Sequence, residues 1–256
     1  MIATEKNSTS GIIEKFSGLF HEVPLLVRSP GRINIIGEHT DYNEGFVLPA
    51  AINQSAYIAI TARDDDNIKL FSTDYNQPFD CSISSLKPTS LGWPNYVLGV
   101  ADQLVKRGYS IKGFNLVLHG EVPIGAGLSS SASIECATVY ALNELFDLRI
   151  EKLQMALIAQ KAEHEFAKVM CGIMDQFASM FGKEDHVIRL DCRSLEYEYM
   201  PMKLEGMSIV LMNTNVKHSL SSSEYNTRRD QCEQGVAWVK ERHPQVKTLR
   251  DVTHDM

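Results

Sequence analysis

The sequence predicts an α+β fold, in which helices and strands of mixed direction pack around a shared core. Segments with apolar residues at helical spacing alternate along the chain with short β-branched segments, and no internal repeat or low-complexity linker interrupts them. At 256 residues and 44% hydrophobic residues, the chain is long enough to bury the core of one or two domains.

The first half of the chain predicts one helix followed by strands. Apolar residues at helical spacing predict an opening helix over residues 11–20. The segments Ala56–Ala62 and Ile68–Thr73 have the composition of strands, and the acidic turn of residues 63–67 between them predicts a hairpin. Apolar residues at every second position in Gly113–His119 predict a further strand.

The second half predicts two long helices and two strands. One helical pattern runs from Ser130 to about Phe146, and another, with a clear apolar stripe, covers residues 151–169. The segments Val187–Leu190 and Ser208–Met212 predict strands.

Composition excludes several classes of function. The net charge is −7 and no basic block occurs, so neither nucleic acid nor an anionic membrane is an expected partner. The five cysteines are scattered and never form a Cys-x-x-Cys pair, which favours reduced thiols in a cytoplasmic protein. We find neither the apolar run of a signal peptide at the N-terminus nor a stretch of about 18 apolar residues that would span a membrane.

Residues 30–49 carry an unusual density of polar groups around glycines. The run places a cation, acids, an imidazole and an amide on one turn. A core strand has no use for so many hydrogen-bonding groups, whereas a site for a polyhydroxylated ligand needs a placed donor or acceptor for each hydroxyl. The run therefore indicates a binding site for a molecule such as a sugar.

A glycine- and serine-rich loop, residues 123–132, lies between the strand ending at His119 and the helix that follows. In this arrangement the N–H groups and the dipole of the helix start favour an anion such as phosphate. The loop is not a Walker A motif, because no lysine follows its second glycine, and it lacks the Gly-x-Gly-x-x-Gly spacing of dinucleotide folds. Taken alone, a helix with a serine-rich cap explains it as well.

A third group of residues surrounds two acids. Glu163 lies at the edge of the apolar stripe, where its carboxylate could bind Mg²⁺, although an exposed helix acid is the simpler interpretation of a lone glutamate. Asp175 follows a glycine and precedes a helical pattern, so we predict it near a helix N-terminus, as a functional carboxylate or as a simple N-cap. His164 lacks the His-Glu-x-x-His spacing of a metal site.

In this order, the motifs resemble those of the galactokinases. Residues 30–49 are similar to their sugar-binding signature, and residues 123–132 to the phosphate-binding loop of the superfamily that includes homoserine, mevalonate and phosphomevalonate kinases. The segment Gly172–Gln176 resembles the one that supplies the family's catalytic aspartate. A fourth segment, residues 213–229, is also similar, and its Tyr225 matches a tyrosine that closes over the sugar.

The resemblance implies a GHMP-kinase-type two-domain fold, galactose and ATP as ligands, Mg²⁺ as cofactor, and transfer of a phosphoryl group to the anomeric hydroxyl of α-D-galactose. It implies Asp175 and Arg32 as catalytic residues. It implies that galactose is bound by Glu38, His39, Thr40, Asp41, Gly172 and Tyr225. For ATP it implies Trp93, Pro123, Gly125, Ala126, Gly127, Leu128, Ser129, Ser130, Ser131 and Ala132. The metal ligands it implies are Ser130 or Ser131 and Glu163.

Several alternatives stay open. A semi-buried core position explains Trp93 equally well. N-Acetylgalactosamine kinases tend to replace the threonine at position 40 and to lose the Tyr-Asn after Asp41, and this chain keeps these residues, which favours plain galactose. Galactose sensors that bind sugar and ATP but catalyse poorly lack part of the serine loop, which is intact here. A purely structural protein would leave residues 30–49 and Asp175 without explanation.

The chain departs from the family in length. Family members are substantially longer and carry a further motif of the type Gly-Ala-Gly-Phe-Gly-Gly, which is absent after Gly235. We therefore expect a complete N-terminal mixed-sheet domain over residues 1–205 and only the beginning of a C-terminal domain over residues 206–256, as in a truncated protein or inactive fragment. Exposed apolar area and strand edges would then favour self-association and low activity.

Overall fold

The computed structural model describes the backbone of residues 2–213 and 224–256, and the side chains of residues 9–213 and 225–256. The helices and strands, in chain order, are α1 (Ile2–Phe20), β1 (Leu25–Asn34), β2 (Phe46–Val47), β3 (Pro49–Ala62), β4 (Asn67–Ser72), β5 (Gln77–Ser82), α2 (Pro94–Lys106), β6 (Phe114–Gly120), α3 (Ser130–Leu145), α4 (Lys152–Ala162), α5 (Met174–Phe181), β7 (His186–Asp191), β8 (Tyr197–Pro201) and α6 (Glu224–Lys240). Short 3₁₀ turns cover Asp41–Asn43, Ile83–Ser85 and Leu249–Asp251, and a π turn covers Glu163–Ala167.

Five of these strands form a mixed sheet in the order β1-β3-β6-β4-β5. The neighbouring strands are antiparallel except for β4 and β6, which run parallel. Because successive residues of a strand point to opposite faces, β6 places Phe114, Leu116 and Leu118 in the main core and Val117 on the other face. These features confirm both the predicted α+β fold and the alternation predicted for this strand.

The predicted hairpin between Ala56–Ala62 and Ile68–Thr73 is wrong, because β6 lies between β3 and β4. The acidic turn is held by the residue before β6: the Arg63 N–H donates to the Gly113 carbonyl oxygen (2.8 Å), and the Gly113 N–H donates to the Asp65 carbonyl oxygen (3.0 Å). The turn therefore spans the width of β6, which is inserted between β3 and β4. The pairing of β6 with these two strands joins residues that are distant in sequence.

Helices cover both faces of this sheet. The main core lies between one face and helices α2, α3 and α4. On the opposite face, Ile12 and Phe16 of α1 pack against Tyr57 of β3. A smaller sheet, β2-β7-β8, packs with α4 and α5 around Phe177 and Ile188. None of the helices within the described residues has the length and apolar character needed to span a membrane.

The predicted helices form with changed limits. The helix predicted to begin at Ser130 is α3, and the opening helix extends further towards the N-terminus than residues 11–20. The pattern over residues 151–169 is not one α-helix: α4 passes into the π turn, which ends at Lys168 in a left-handed conformation with φ 62°. Glu163 is the first residue of this π turn.

The strand predicted over Ser208–Met212 is wrong. Residues 207–213 form neither helix nor strand, and the side chains of Val210 and Met212 are 75% and 88% exposed. Apolar composition alone produced the prediction, and a strand also needs a partner to satisfy its backbone. Residues 214–223 of the fourth motif lie outside the described residues, and the division of the chain near residue 205 stays a prediction.

Candidate active site

A tight turn, residues 35–45, connects β1 to β2 and is termed the polar turn. Gly37 adopts φ 113°, and a Cβ atom there would lie 2.7 Å from the Phe46 carbonyl oxygen, so this position requires glycine. The Thr40 hydroxyl lies 2.7 Å from the carbonyl oxygens of both Gly37 and Phe46. Thr40 therefore fixes the backbone of the turn through hydrogen bonds of its side chain.

The other predicted galactose-binding residues meet around the polar turn. Glu38 and His39 are exposed on it, and the ring of Tyr225 from α6 lies 5.7 Å from the His39 ring. The Gly172 N–H donates to the Tyr225 hydroxyl (3.3 Å). A Cβ atom on Gly172 would lie 2.1 Å from Asp41 Oδ2, so the absence of a side chain there makes room for the buried aspartate.

Asp41 is a buried acid in this group. Burial raises the pKa of its carboxyl to about 6, and the negative charge of Asp175 adds to the rise. The backbone N–H of Tyr42 and the positive charge of Arg32 act in the opposite direction. The oxygens of a carboxylate can accept several hydrogen bonds, so Asp41 is suited to bind ligand hydroxyls.

The glycine loop, residues 123–129, connects β6 to α3. Gly125 and Gly127 have φ angles of 73° and 74°, and Ser129 has φ 59° immediately before the helix. The backbone N–H of Arg32 donates to a carbonyl oxygen of this loop (3.1 Å), which fixes the loop against β1. The first N–H groups of α3 have no acceptor within the helix and can bind an anion.

Asp175 lies between the polar turn and the glycine loop, in the first turn of α5 as the sequence predicts. Atoms Nε and Nη2 of Arg32 lie 2.8 and 2.7 Å from its Oδ1, and the Ser129 hydroxyl donates to its Oδ2 (2.6 Å). Arg32 Nη1 also donates to the Gly127 carbonyl oxygen (2.7 Å). With 24% of its side chain exposed, Asp175 is accessible to a small molecule.

Glu163 lies in the π turn and is 5% exposed. Burial raises the pKa of its carboxyl to about 6, against the lowering effect of the neighbouring Ser131 hydroxyl. Ser131 is therefore the predicted metal-binding serine that lies beside Glu163. A hydroxyl next to a carboxylate suits Mg²⁺, which takes a few protein oxygens together with phosphate and water oxygens. Among the described residues, no group of three or more His, Cys, Asp or Glu could hold a metal ion.

Two buried polar residues behind Glu163 were not predicted. Gln176 Nε2 donates to Glu163 Oε2 (2.7 Å) and to Glu135 Oε2 (3.2 Å). Burial, followed by the charge of Glu163, raises the pKa of Glu135 well above its usual range. Within the described part of the chain, Oε1 of Glu135 and Oε1 of Gln176 have no hydrogen-bond partner. The sequence signal at Glu135 was its position between the apolar residues Ile134 and Cys136 in a helical pattern. Acids are rarely buried without a partner, so an acid among buried positions indicates a special role.

A cavity of about 180 Å³ lies beside the glycine loop, between β6, the start of α2 and the start of α3. Trp93 is 4% exposed in its wall, and its Nε1 donates to Gln77 Oε1 (3.0 Å). Ala132, which was predicted to contact ATP, is buried in α3, so its side chain does not reach the cavity surface. The lining includes Tyr75, Trp93, Tyr96, Val122, Ile124 and Ser130.

Known proteins match this chain in sequence. The model of the GHMP kinases N terminal domain matches residues 95–183, and that of the galactokinase galactose-binding signature matches residues 14–62. Galactokinase of Thermotoga maritima is 46% identical over 232 residues, which cover 90% of this chain and 63% of that protein. Galactokinase of Thermosipho africanus is 46% identical over 209 residues, covering 82% and 58%. The chain thus spans less than two thirds of the length of these relatives.

Solved structures agree. Lactococcus lactis galactokinase complexed with galactose has a TM-score of 0.91 and 37% identity, covering 97% of this chain and 65% of that one. Methanococcus jannaschii mevalonate kinase, with a TM-score of 0.60 and 20% identity over 72% of this chain, shares the fold. From the two family matches, the identity over nine tenths of the chain and this structural agreement, it follows that the chain belongs to the GHMP kinase family, within its galactokinase group.

Proposed function

We propose that the chain phosphorylates the anomeric hydroxyl of α-D-galactose with ATP, giving galactose 1-phosphate and ADP. The observation that carries the proposal is the position of Asp175, a partly exposed carboxylate between the polar turn and the glycine loop. Arg32 from β1 and Ser129 from the glycine loop both contact it. The similarity to a galactokinase solved with galactose supports the choice of sugar.

Galactose would bind at the polar turn. The carboxylates of Glu38 and Asp41 would accept hydrogen bonds from its hydroxyls, and the His39 and Tyr225 rings would contact the sugar ring. Thr40 would act by fixing the backbone of the turn, since its hydroxyl contacts two carbonyl oxygens.

ATP would bind with its base in the cavity beside Trp93 and its phosphates on the glycine loop. Ser130, the first residue of α3, lines the cavity, so one extended nucleotide would reach both places. The Ser131 hydroxyl and the Glu163 carboxylate would hold Mg²⁺, which, when bound, neutralises phosphate charge.

In the reaction, the anomeric oxygen of the sugar attacks the γ-phosphorus, its proton passes to the Asp175 carboxylate, and ADP leaves. Arg32 holds Asp175 in place and contributes positive charge beside the transferred group. Phosphoryl transfer asks a protein mainly for positioning and electrostatic stabilisation, and this arrangement offers both.

The test is galactose-dependent ADP release from Mg·ATP, measured for the unchanged chain and for Asp175→Asn. We expect the variant to lose turnover by a factor of about 10² to 10⁴, the usual contribution of a general base, while galactose binding stays measurable by calorimetry. Equal turnover in the variant would remove Asp175 from the mechanism. Sugar and ATP binding without turnover in the unchanged chain would favour a sensor or an inactive fragment.

A further inference from the structure

The segment of residues 168–173 joins the π turn that contains Glu163 to the helix that contains Asp175, and is termed the connector. It begins with Lys168 in a left-handed conformation and contains no helix or strand. Its backbone N–H and C=O groups therefore need partners from other parts of the molecule.

A single side chain of α6 supplies two of these partners. The Met170 N–H donates to Asn226 Oδ1 (3.0 Å), and Asn226 Nδ2 donates to the Lys168 carbonyl oxygen (3.1 Å). The amide thus makes the donor and acceptor bonds that a neighbouring strand would make, because an Asn side chain carries an N–H donor and a C=O acceptor on one planar unit.

The flanking residues of α6 extend this contact. Arg229 Nη1 donates to the Met170 carbonyl oxygen (2.8 Å), and the Tyr225 hydroxyl accepts from the Gly172 N–H (3.3 Å). From the other side of the connector, His164 Nε2 lies 2.8 Å from the Cys171 carbonyl oxygen. The connector is therefore held between α6 and the π turn.

The same helix also contacts the polar turn. The Tyr225 ring lies 5.7 Å from the His39 ring and 5.4 Å from the Tyr42 ring. Because Asn226 follows Tyr225 directly, the helix that carries the sugar-facing tyrosine is fixed to the backbone that leads to Asp175.

We propose that Asn226 is a positioning residue for galactose phosphorylation. Its amide holds the backbone of the connector in place, so that Gly172 stays against Asp41 and Asp175 keeps its distance from the bound sugar. The role rests on the function proposed above. The close contact of Gly172 with Asp41 leaves little room for a shift of the connector, because even an added Cβ atom would lie 2.1 Å from the Asp41 carboxylate.

The experiment compares Asn226→Ala and Asn226→Asp with the control Gln234→Ala, which removes an amide from the exposed side of the same helix. In Asn226→Ala we expect kcat/KM for galactose to fall about 10- to 100-fold, since small misplacements of reacting groups have effects of this size. The KM for ATP should change less than twofold, because Asn226 does not line the nucleotide cavity. Asn226→Asp keeps the acceptor for the Met170 N–H and should show an intermediate loss.

A second measurement needs no ligand. Hydrogen exchange of the connector amides should be at least tenfold faster in Asn226→Ala than in the unchanged chain or Gln234→Ala, with Asn226→Asp close to the unchanged chain at Met170. An active chain in which Asn226→Ala alters neither kcat/KM nor exchange overturns the inference. A chain that does not phosphorylate galactose overturns the proposed function, and exchange then decides whether Asn226 holds the connector: faster exchange supports that contact, and unchanged exchange overturns it.

Discussion

Replacing Asp41 by asparagine should stabilise the folded chain while removing galactose binding. The side chain is buried against Gly172, and burial together with the charge of Asp175 raises its pKa from 3.8 to about 6. Asparagine has nearly the same shape and keeps one oxygen to accept from the Tyr42 N–H. The substitution removes the buried charge and, with it, a hydrogen-bond acceptor for the proposed galactose.

The size of the effect follows from the pKa. At a pH between about 4 and 6 the native state keeps the Asp41 proton and the unfolded state has lost it, so the native protein loses stability as the pH rises through this range. A shift of about two units corresponds to roughly 3 kcal/mol in the free energy of unfolding. Well above pH 6 the difference between Asp41→Asn and the unchanged chain should be constant at about this value, at pH 4 it should be less than about 1 kcal/mol, and it should vanish below both pKa values.

Denaturant unfolding at pH 4, 5, 6 and 8 measures this difference, with the exposed Asp64→Asn as the matched control. A gain of 3 kcal/mol corresponds to an increase in Tm of very roughly 6–12 °C at pH 8. Calorimetry on the same samples should show that Asp41→Asn no longer binds galactose. An Asp41→Asn protein that is less stable at pH 8, or whose stability difference does not depend on pH, would refute the reasoning.

Three further predictions follow from packing. Gly172→Ala should weaken galactose binding at least tenfold by calorimetry and lower the free energy of unfolding by about 1–3 kcal/mol, because the new methyl displaces Asp41. The control Gly11→Ala, in the open part of α1, should raise the free energy of unfolding by up to about 1 kcal/mol, and equal changes in stability for the two variants would contradict the prediction. Phe177→Ala should cost about 3–5 kcal/mol in denaturant unfolding, since this ring is fully buried between α5 and the small sheet, and a loss below 1 kcal/mol would contradict that packing. The exposed apolar side chains of residues 207–213 and of Trp238 should cause self-association in light scattering, which a monodisperse monomer would disprove.

Local patterns predicted what depends on neighbours along the chain. The alternation in β6 and the start of α3 formed as predicted, because periodicity reports which face of a strand or helix is buried. The insertion of β6 between β3 and β4 was not predictable in this way, since it depends on pairing between residues some 50 positions apart. The strand predicted over Ser208–Met212 was wrong for the same reason. The composition favours a strand, but a strand forms only where a partner strand is present.

In the candidate site, too, the features visible along the chain were predicted and those that depend on packing were not. Polar residues concentrated in glycine-rich turns are conspicuous in sequence, because a core has no use for them, and the polar turn and the glycine loop were found in this way. Glu135, Gln176 and Asn226 were not predicted, because their contacts form only when α3, α5 and α6 pack near the π turn. Gln176 and Asn226 are each one polar residue in a helical pattern, which by itself is typical of an exposed surface position, and the local signal at Glu135 was its place between Ile134 and Cys136.

Arg32 shows how one irregular strand joins the two parts of the site. The register of β1 and β3 shifts between Pro30 and Arg32, and a Cβ atom on Gly31 would lie 2.6 Å from the Leu128 carbonyl oxygen, so glycine lets the glycine loop approach β1. The Arg32 N–H then bonds this loop, while its guanidinium group contacts Asp175. Residues 30–32, at the beginning of the run 30–49, therefore contact the glycine loop, and only the residues after them form the polar turn. In the proposed function, one continuous run of the sequence would therefore serve both substrates, because the shift in register lies where the glycine loop contacts β1.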